Sequence, residues 1–142
     1  MEHTLKLNAD QVMEFLGDVV PDWRHFFDIV SLEPMRMTAF TPVNTNDLRP
    51  GGTVSGPTLF GAADGAFYIL TMAMIGKEAL TVTTNCSIDF MRKPELAPIR
   101  TETRILKLGR TLSVGDVMLY SGDSTDPVSH ANITYSIPPK RD

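Results

Sequence analysis

From Thr53 to Lys77 the chain is apolar almost without a break, and Asp64 is the only charged side chain between Pro50 and Gly76. The stretch predicts one helix. Ser55 or Gly56 supplies the N-cap, Pro57 suits a first turn whose N–H groups have no helical partner, and Gly76 with Lys77 suits the carbonyl end. A surface helix keeps a polar side, so one that is apolar all round has to be enclosed. A membrane would enclose it, but Leu59 to Ile75 falls short of the ~20 residues of a span and carries Asp64, two glycines and Thr71. Gly61 and Gly65 predict close approach of a neighbouring element instead. A helix wrapped by a sheet, with one carboxylate held inside, fits this composition better.

The chain has 142 residues, enough for one domain with a real core, here taken as residues 1–142. A net charge of −4 and a pI near 5.3 argue against nucleic acid as a partner. The single cysteine, Cys86, excludes an internal disulfide and fits a reducing compartment. Met1 to Leu7 lacks the apolar core of a signal peptide, so a cytoplasmic protein with no membrane partner is expected.

Before the central helix, Asn8 can cap an amphipathic helix with Val12, Met13, Phe15 and Leu16 on its apolar side, ended near Pro21. Trp23 to Thr41 reads as two short strands or one bent one, interrupted at Glu33-Pro34. Pro42 to Gly52 reads as a loop. After Gly76 come four strands, Ala79–Met91, Ile99–Leu108, Thr111–Tyr120 and Val128–Ile137, expected as an antiparallel meander. A half-polar sheet following a buried helix must curl around it. This is the α+β architecture of the hotdog fold, an antiparallel sheet wrapped around one long central helix.

Several familiar sites fail on inspection. Gly51 to Thr58 nearly spells a phosphate loop, but Pro57 stands where the lysine must be. Ser55 is not in Gly-x-Ser-x-Gly, because Thr53 replaces the first glycine. His3, His25 and His130 have no metal-like spacing to one another or to Cys86, so no metal is expected.

At Ser55-Gly56-Pro57 and Asp64 the sequence resembles the phenylacetate-degradation (PaaI-like) acyl-CoA thioesterases of the hotdog superfamily. Their helix opens with His-Gly-Gly and carries an acid eight positions past the first glycine; here Gly56 matches that glycine and Asp64 the acid. Val82 to Pro94 resembles the family's next strand, with Thr83 at a hydroxyl position and Asn85 beside it. Leu106 to Leu112 resembles its Gly-Lys/Arg hairpin. The likeness runs from about Pro42 to the C-terminus. Ser55 and Pro57 depart from the motif, and Arg49 stands where relatives often place Asn or Gln to orient substrate or water; Asn46 is a second candidate for that task. Related hydratases follow their Asp with a His five residues on, and Ile69 occupies that position, which disfavours dehydration.

The resemblance implies a homodimer, extended by a possible dimer of dimers into a homotetramer, that hydrolyses an acyl-CoA without a cofactor; coenzyme A enters as part of the substrate. Asp64 would act as general base or nucleophile, and the Gly56 amide as oxyanion donor. Eight helical residues span about 12 Å, so one carbonyl carbon cannot sit beside both groups of one helix. A two-fold copy running antiparallel would bring Gly56 of one chain to Asp64 of the other. Thr83 would bond Asp64 or its water. Arg92, Lys93, Lys107 and Arg110 are candidates for the phosphates of coenzyme A, and Phe60, Phe67 and Tyr68 for the acyl group. The rival reading is an acyl-CoA-binding hotdog protein without turnover; a purely structural interaction domain is a broader one.

Overall fold

The apolar stretch folds as a 20-residue helix, Gly56–Ile75, in a computed structural model that describes residues 3–23 and 26–139. His25 and the charged tail after Pro139 lie outside the described residues. In chain order the elements are α1 (Ala9–Val19), β1 (Asp28–Glu33), β2 (Arg36–Thr41), β3 (Leu48–Arg49), β4 (Thr53–Val54), α2 (Gly56–Ile75), β5 (Val82–Phe90), β6 (Ile99–Leu108), β7 (Leu112–Ser121) and β8 (Pro127–Ser136). Helix α1 starts at a reciprocal cap: the Gln11 N–H donates to the Asn8 side chain at 2.8 Å, and the Asn8 N–H to the Gln11 side chain at 2.9 Å. It buries Val12, Phe15 and Leu16 beside α2.

The six long strands form one antiparallel sheet in the order β1-β2-β6-β7-β8-β5. This corrects the expected four-strand meander. A strand has two ladder sides, and β6 gives one to β2 and the other to β7. The connection from Met91 to Pro98, anchored where the Val54 N–H donates to the Pro94 carbonyl at 3.3 Å, is too long for a hairpin. Strand β5 therefore closes on the free side of β8 and becomes an edge. The loop expected from Pro42 to Gly52 is also more ordered than that. A 3₁₀ turn (Thr45–Asp47) leads into the β3–β4 ribbon, which turns at Gly51 and Gly52, both at positive φ. That ribbon claims Thr53 and Val54, so the helix begins later than Thr53.

The sheet curls around α2, whose side chains from Leu59 to Met74 are mostly buried. Length and hydropathy alone would let α2 cross a membrane, but two-thirds of it is packed inside the protein. Ile99, Thr101, Thr103 and Ile105 of β6 face it, as do Ser113, Val117 and Leu119 of β7 and Ala131, Ile133 and Tyr135 of β8. Thr71, the helix's buried hydroxyl, meets the Ser113 hydroxyl at 3.1 Å. Close approach occurs at Gly65, where an added Cβ would lie 2.5 Å from the Phe27 ring; at Gly61 the space is open. The expected small-residue pair thus has one working member, and its partner is an aromatic ring.

Candidate active site

Asp64 lies in the middle of α2, on the side that faces β5 and β8. Two hydroxyls reach it. The Thr83 Oγ1 donates to Asp64 Oδ1 at 2.8 Å, and the Tyr135 phenol lies 2.8 Å from that same oxygen and 2.8 Å from the Asp64 backbone carbonyl. No hydrogen bond to Oδ2 is formed among the described residues. Thr83 and Tyr135 are cross-strand partners in the β5–β8 ladder, so their side chains emerge together on the helix side.

A bulge makes this possible. Strand β5 slips register between Thr83 and Asn85, with Thr84 left over and bonded by its hydroxyl to the Thr134 carbonyl at 3.2 Å. Side chains alternate along a strand, so Thr83 and Cys86, three apart, would ordinarily face opposite ways. The extra residue resets the alternation. Thr83 points at Asp64, while Cys86 and Ile88 pack on the core. Burial, and then the Asp64 charge, push the Cys86 thiol up in pKa, which makes it a poor nucleophile.

A cleft of about 460 Å³ opens at Asp64, Thr83 and Tyr135. Its other walls are Tyr68, Leu80, Val82 and, from α1 and the turn after it, Val19, Val20 and Trp23. Tyr68 holds the Ala79 carbonyl at 3.3 Å, and burial raises its pKa. Tyr135 is more enclosed, and burial with the neighbouring Asp64 charge pushes its phenol far up, so it stays a protonated donor. The Phe67 ring lies in the core against Gly115 and Tyr135 and does not line this cleft.

Within one chain the remaining candidate residues lie elsewhere. Gly56 opens α2, with the Phe90 ring against it; an added Cβ there would lie 3.3 Å from that ring. Ser55 caps the helix: its Oγ accepts from the Thr58 N–H at 3.3 Å, and the Ser55 N–H donates to the Asp47 carbonyl at 2.8 Å. Asn46 and Arg49 are exposed in the segment leading to that cap. Asn85 is exposed on β5, one position from the inward Cys86. Arg92 follows β5 and donates to the Pro127 carbonyl at 2.7 Å. Lys107 and Arg110 sit at the β6–β7 hairpin, at the opposite end of the sheet. The single chain brings together Asp64, Thr83 and Tyr68 and separates them from Gly56 and the cations. Tyr135 was missed by sequence reasoning. Its one signal was a polar-tipped aromatic on the inward row of the last strand.

The thioesterase superfamily model matches residues 51–128, more than half of the chain, including α2 and β5. The chain belongs to the thioesterase superfamily. Its reaction class is thioester hydrolysis. A candidate thioesterase from Silicibacter sp. TM1040 is 46% identical to this superfamily member, with a TM-score of 0.87 over 95% of this chain and 94% of that one. Zebrafish thioesterase superfamily member 2 shares the fold at 17% identity, with a TM-score of 0.80 over 94% of this chain and all of that one. A Streptococcus mutans protein bound to acetyl-CoA is 25% identical, with a TM-score of 0.71 over 82% of this chain and 91% of that one. Among curated proteins none matches significantly.

A second cluster lies on the outer face of the sheet. Asp116 is buried there, receiving Arg104 at 2.7 and 3.2 Å and facing His130 Nε2 at 3.0 Å. Burial alone would raise its pKa, but the hydrogen bonds from Arg104 and His130, together with their charges, hold the carboxyl below the usual range.

Proposed function

We propose that this protein is a homodimeric acyl-CoA thioesterase of the phenylacetate-degradation type, with Asp64 as its reacting acid. One observation carries the reading. Asp64 is the only charged residue of the core helix, its Oδ1 is taken by hydroxyls, and its Oδ2 is left uncommitted at an apolar cleft. That oxygen is placed to take a proton from water or to attack a thioester carbonyl. The acetyl-CoA bound to the Streptococcus mutans relative supports an acyl-CoA as substrate.

The dimer supplies the oxyanion donor. Strand β5 runs antiparallel to α2: Thr83 meets Asp64 near one end, and Phe90 meets Gly56 near the other. A two-fold axis through the middle of β5 exchanges those ends and sets the partner subunit's Gly56 toward Asp64. It also brings the partner subunit's Arg92 toward Lys107 and Arg110. Strand β5 offers such an edge, nine residues long with one side unpaired and Val82 and Phe90 more than half exposed. An unpaired edge of this length, with an apolar side chain at each end, invites pairing with another strand.

Thiol release from a panel of acyl-CoAs tests the proposal. Wild type is expected to turn over at least one, and Asp64→Asn to lose that activity while keeping its fold. Equal rates in the two proteins refute Asp64 as the reacting acid. Stoichiometric binding with no thiol release by wild type makes the chain a binding protein instead.

A further inference from the structure

We infer that Tyr135 is a positioning residue: with Thr83 it fixes Asp64 Oδ1, so that Oδ2 alone reacts. This rests on Asp64 being the reacting acid. Asp64 stands in mid-helix, with rotatable side-chain bonds and an open cleft before it, and an unrestrained carboxylate there would present either oxygen in turn. Thr83 donates to Oδ1 from the edge strand. Tyr135 reaches the same atom from the neighbouring strand, and its 2.8 Å contact with the Asp64 carbonyl ties the residue's side chain to its own backbone. A phenol has one proton, so the two contacts share it, and the arrangement holds only while Oδ1 stays turned toward that carbonyl. Two donors on one oxygen hold that oxygen in place and leave the other free.

The Tyr135 ring is itself fixed, 5.3 Å from Phe67 and 6.1 Å from Tyr68 between ring centres, and the tyrosine is fully buried. Burial keeps the phenol protonated, so it donates across the working pH range. Thr83, by contrast, is exposed on an edge strand. The buried member of the pair therefore sets the orientation, and Thr83 reinforces it.

The test compares wild type, Tyr135→Phe, Thr83→Val and Asp64→Asn on the best substrate of the acyl-CoA panel, with kcat and KM measured separately. Phenylalanine keeps the ring contacts, so the fold is expected to survive. Tyr135→Phe should lower kcat about tenfold or more with KM nearly unchanged, as for one lost hydrogen bond to a charged group. Carbon-13 NMR of the Asp64 carboxyl provides a readout independent of turnover, its resonance displaced in Tyr135→Phe because one donor to Oδ1 is gone. Wild-type kcat with an unmoved carboxyl resonance overturns the positioning role and leaves Asp64 standing. Full activity in Asp64→Asn overturns both.

Discussion

Thr83 and Tyr135 face each other across the β5–β8 ladder, and each sets a hydroxyl 2.8 Å from Asp64 Oδ1. Residues on three elements meet on one atom, 71 positions apart at the extreme. The arrangement depends on the fold's order of events. The helix passes under the sheet, β5 leaves its sequence neighbour β6 for the far edge, and a bulge aims Thr83 inward.

Removing the acid is the first test of the chemistry. A positioned general base contributes roughly 10²–10⁴ to rate, so Asp64→Asn should lower kcat by about that factor. Asparagine preserves a side-chain oxygen for Thr83 and Tyr135 to bond, so the melting temperature should stay close to wild type. Steady-state thiol release and thermal unfolding of the same preparation check both expectations.

Thr83→Val keeps the shape of an exposed strand residue and deletes one donor. Activity is expected to fall about tenfold, less than for Asp64→Asn, because Tyr135 still holds Oδ1. Single-turnover rates of the two variants side by side decide the ranking.

Gly115→Ala tests the packing of α2 on β7. The added Cβ would collide with the Arg104 carbonyl and lie 2.7 Å from the Phe67 ring, and neither a backbone group nor a fully buried ring can yield. A loss of about 3 kcal/mol or more is expected, measured by urea unfolding. Gly61→Ala, at a helical position with open space around it, should be neutral or slightly stabilising.

The outer-face cluster predicts a pH dependence of stability. The folded pKa of Asp116 lies below its unfolded value, so its stabilisation is present at neutral pH and lost as pH falls through the folded pKa. Asp116→Asn should cost about 1–2 kcal/mol at neutral pH, since Arg104 is half exposed and screening trims the pair. The gap to wild type should close on acidification below about pH 4. Urea midpoints across that range measure it.

The central helix was legible because a long apolar run with one charge has few other fates. Ser55 and Gly76 bound it as their chemistry requires. Strand β6 was equally plain, its Ile99, Thr101, Thr103 and Ile105 alternating with exposed or half-exposed polar residues. What stayed hidden was long-range. Adjacent strands β5 and β6 look like ladder partners until the chain is known to cross the sheet. Tyr135 reads as one more aromatic until β8 is set beside β5. The bulge at Thr84 has no mark of its own, since Thr83-Thr84-Asn85 suits a regular strand equally well. Asp64 stood out as the lone charge of an apolar run, whereas Gly56 was reached through the resemblance at the head of the helix.

The shared site is tested most directly by mixing two inactive chains. Asp64→Asn lacks the acid, and Gly56→Pro lacks the amide proton, so each homodimer should be inactive. After unfolding and refolding together in equal amounts, half of the dimers are mixed, and each mixed dimer holds one intact site of two. Thiol release should return to about a quarter of the wild-type rate per chain. A mixture no more active than its separate parents would place Asp64 and its oxyanion donor in one chain and contradict the account.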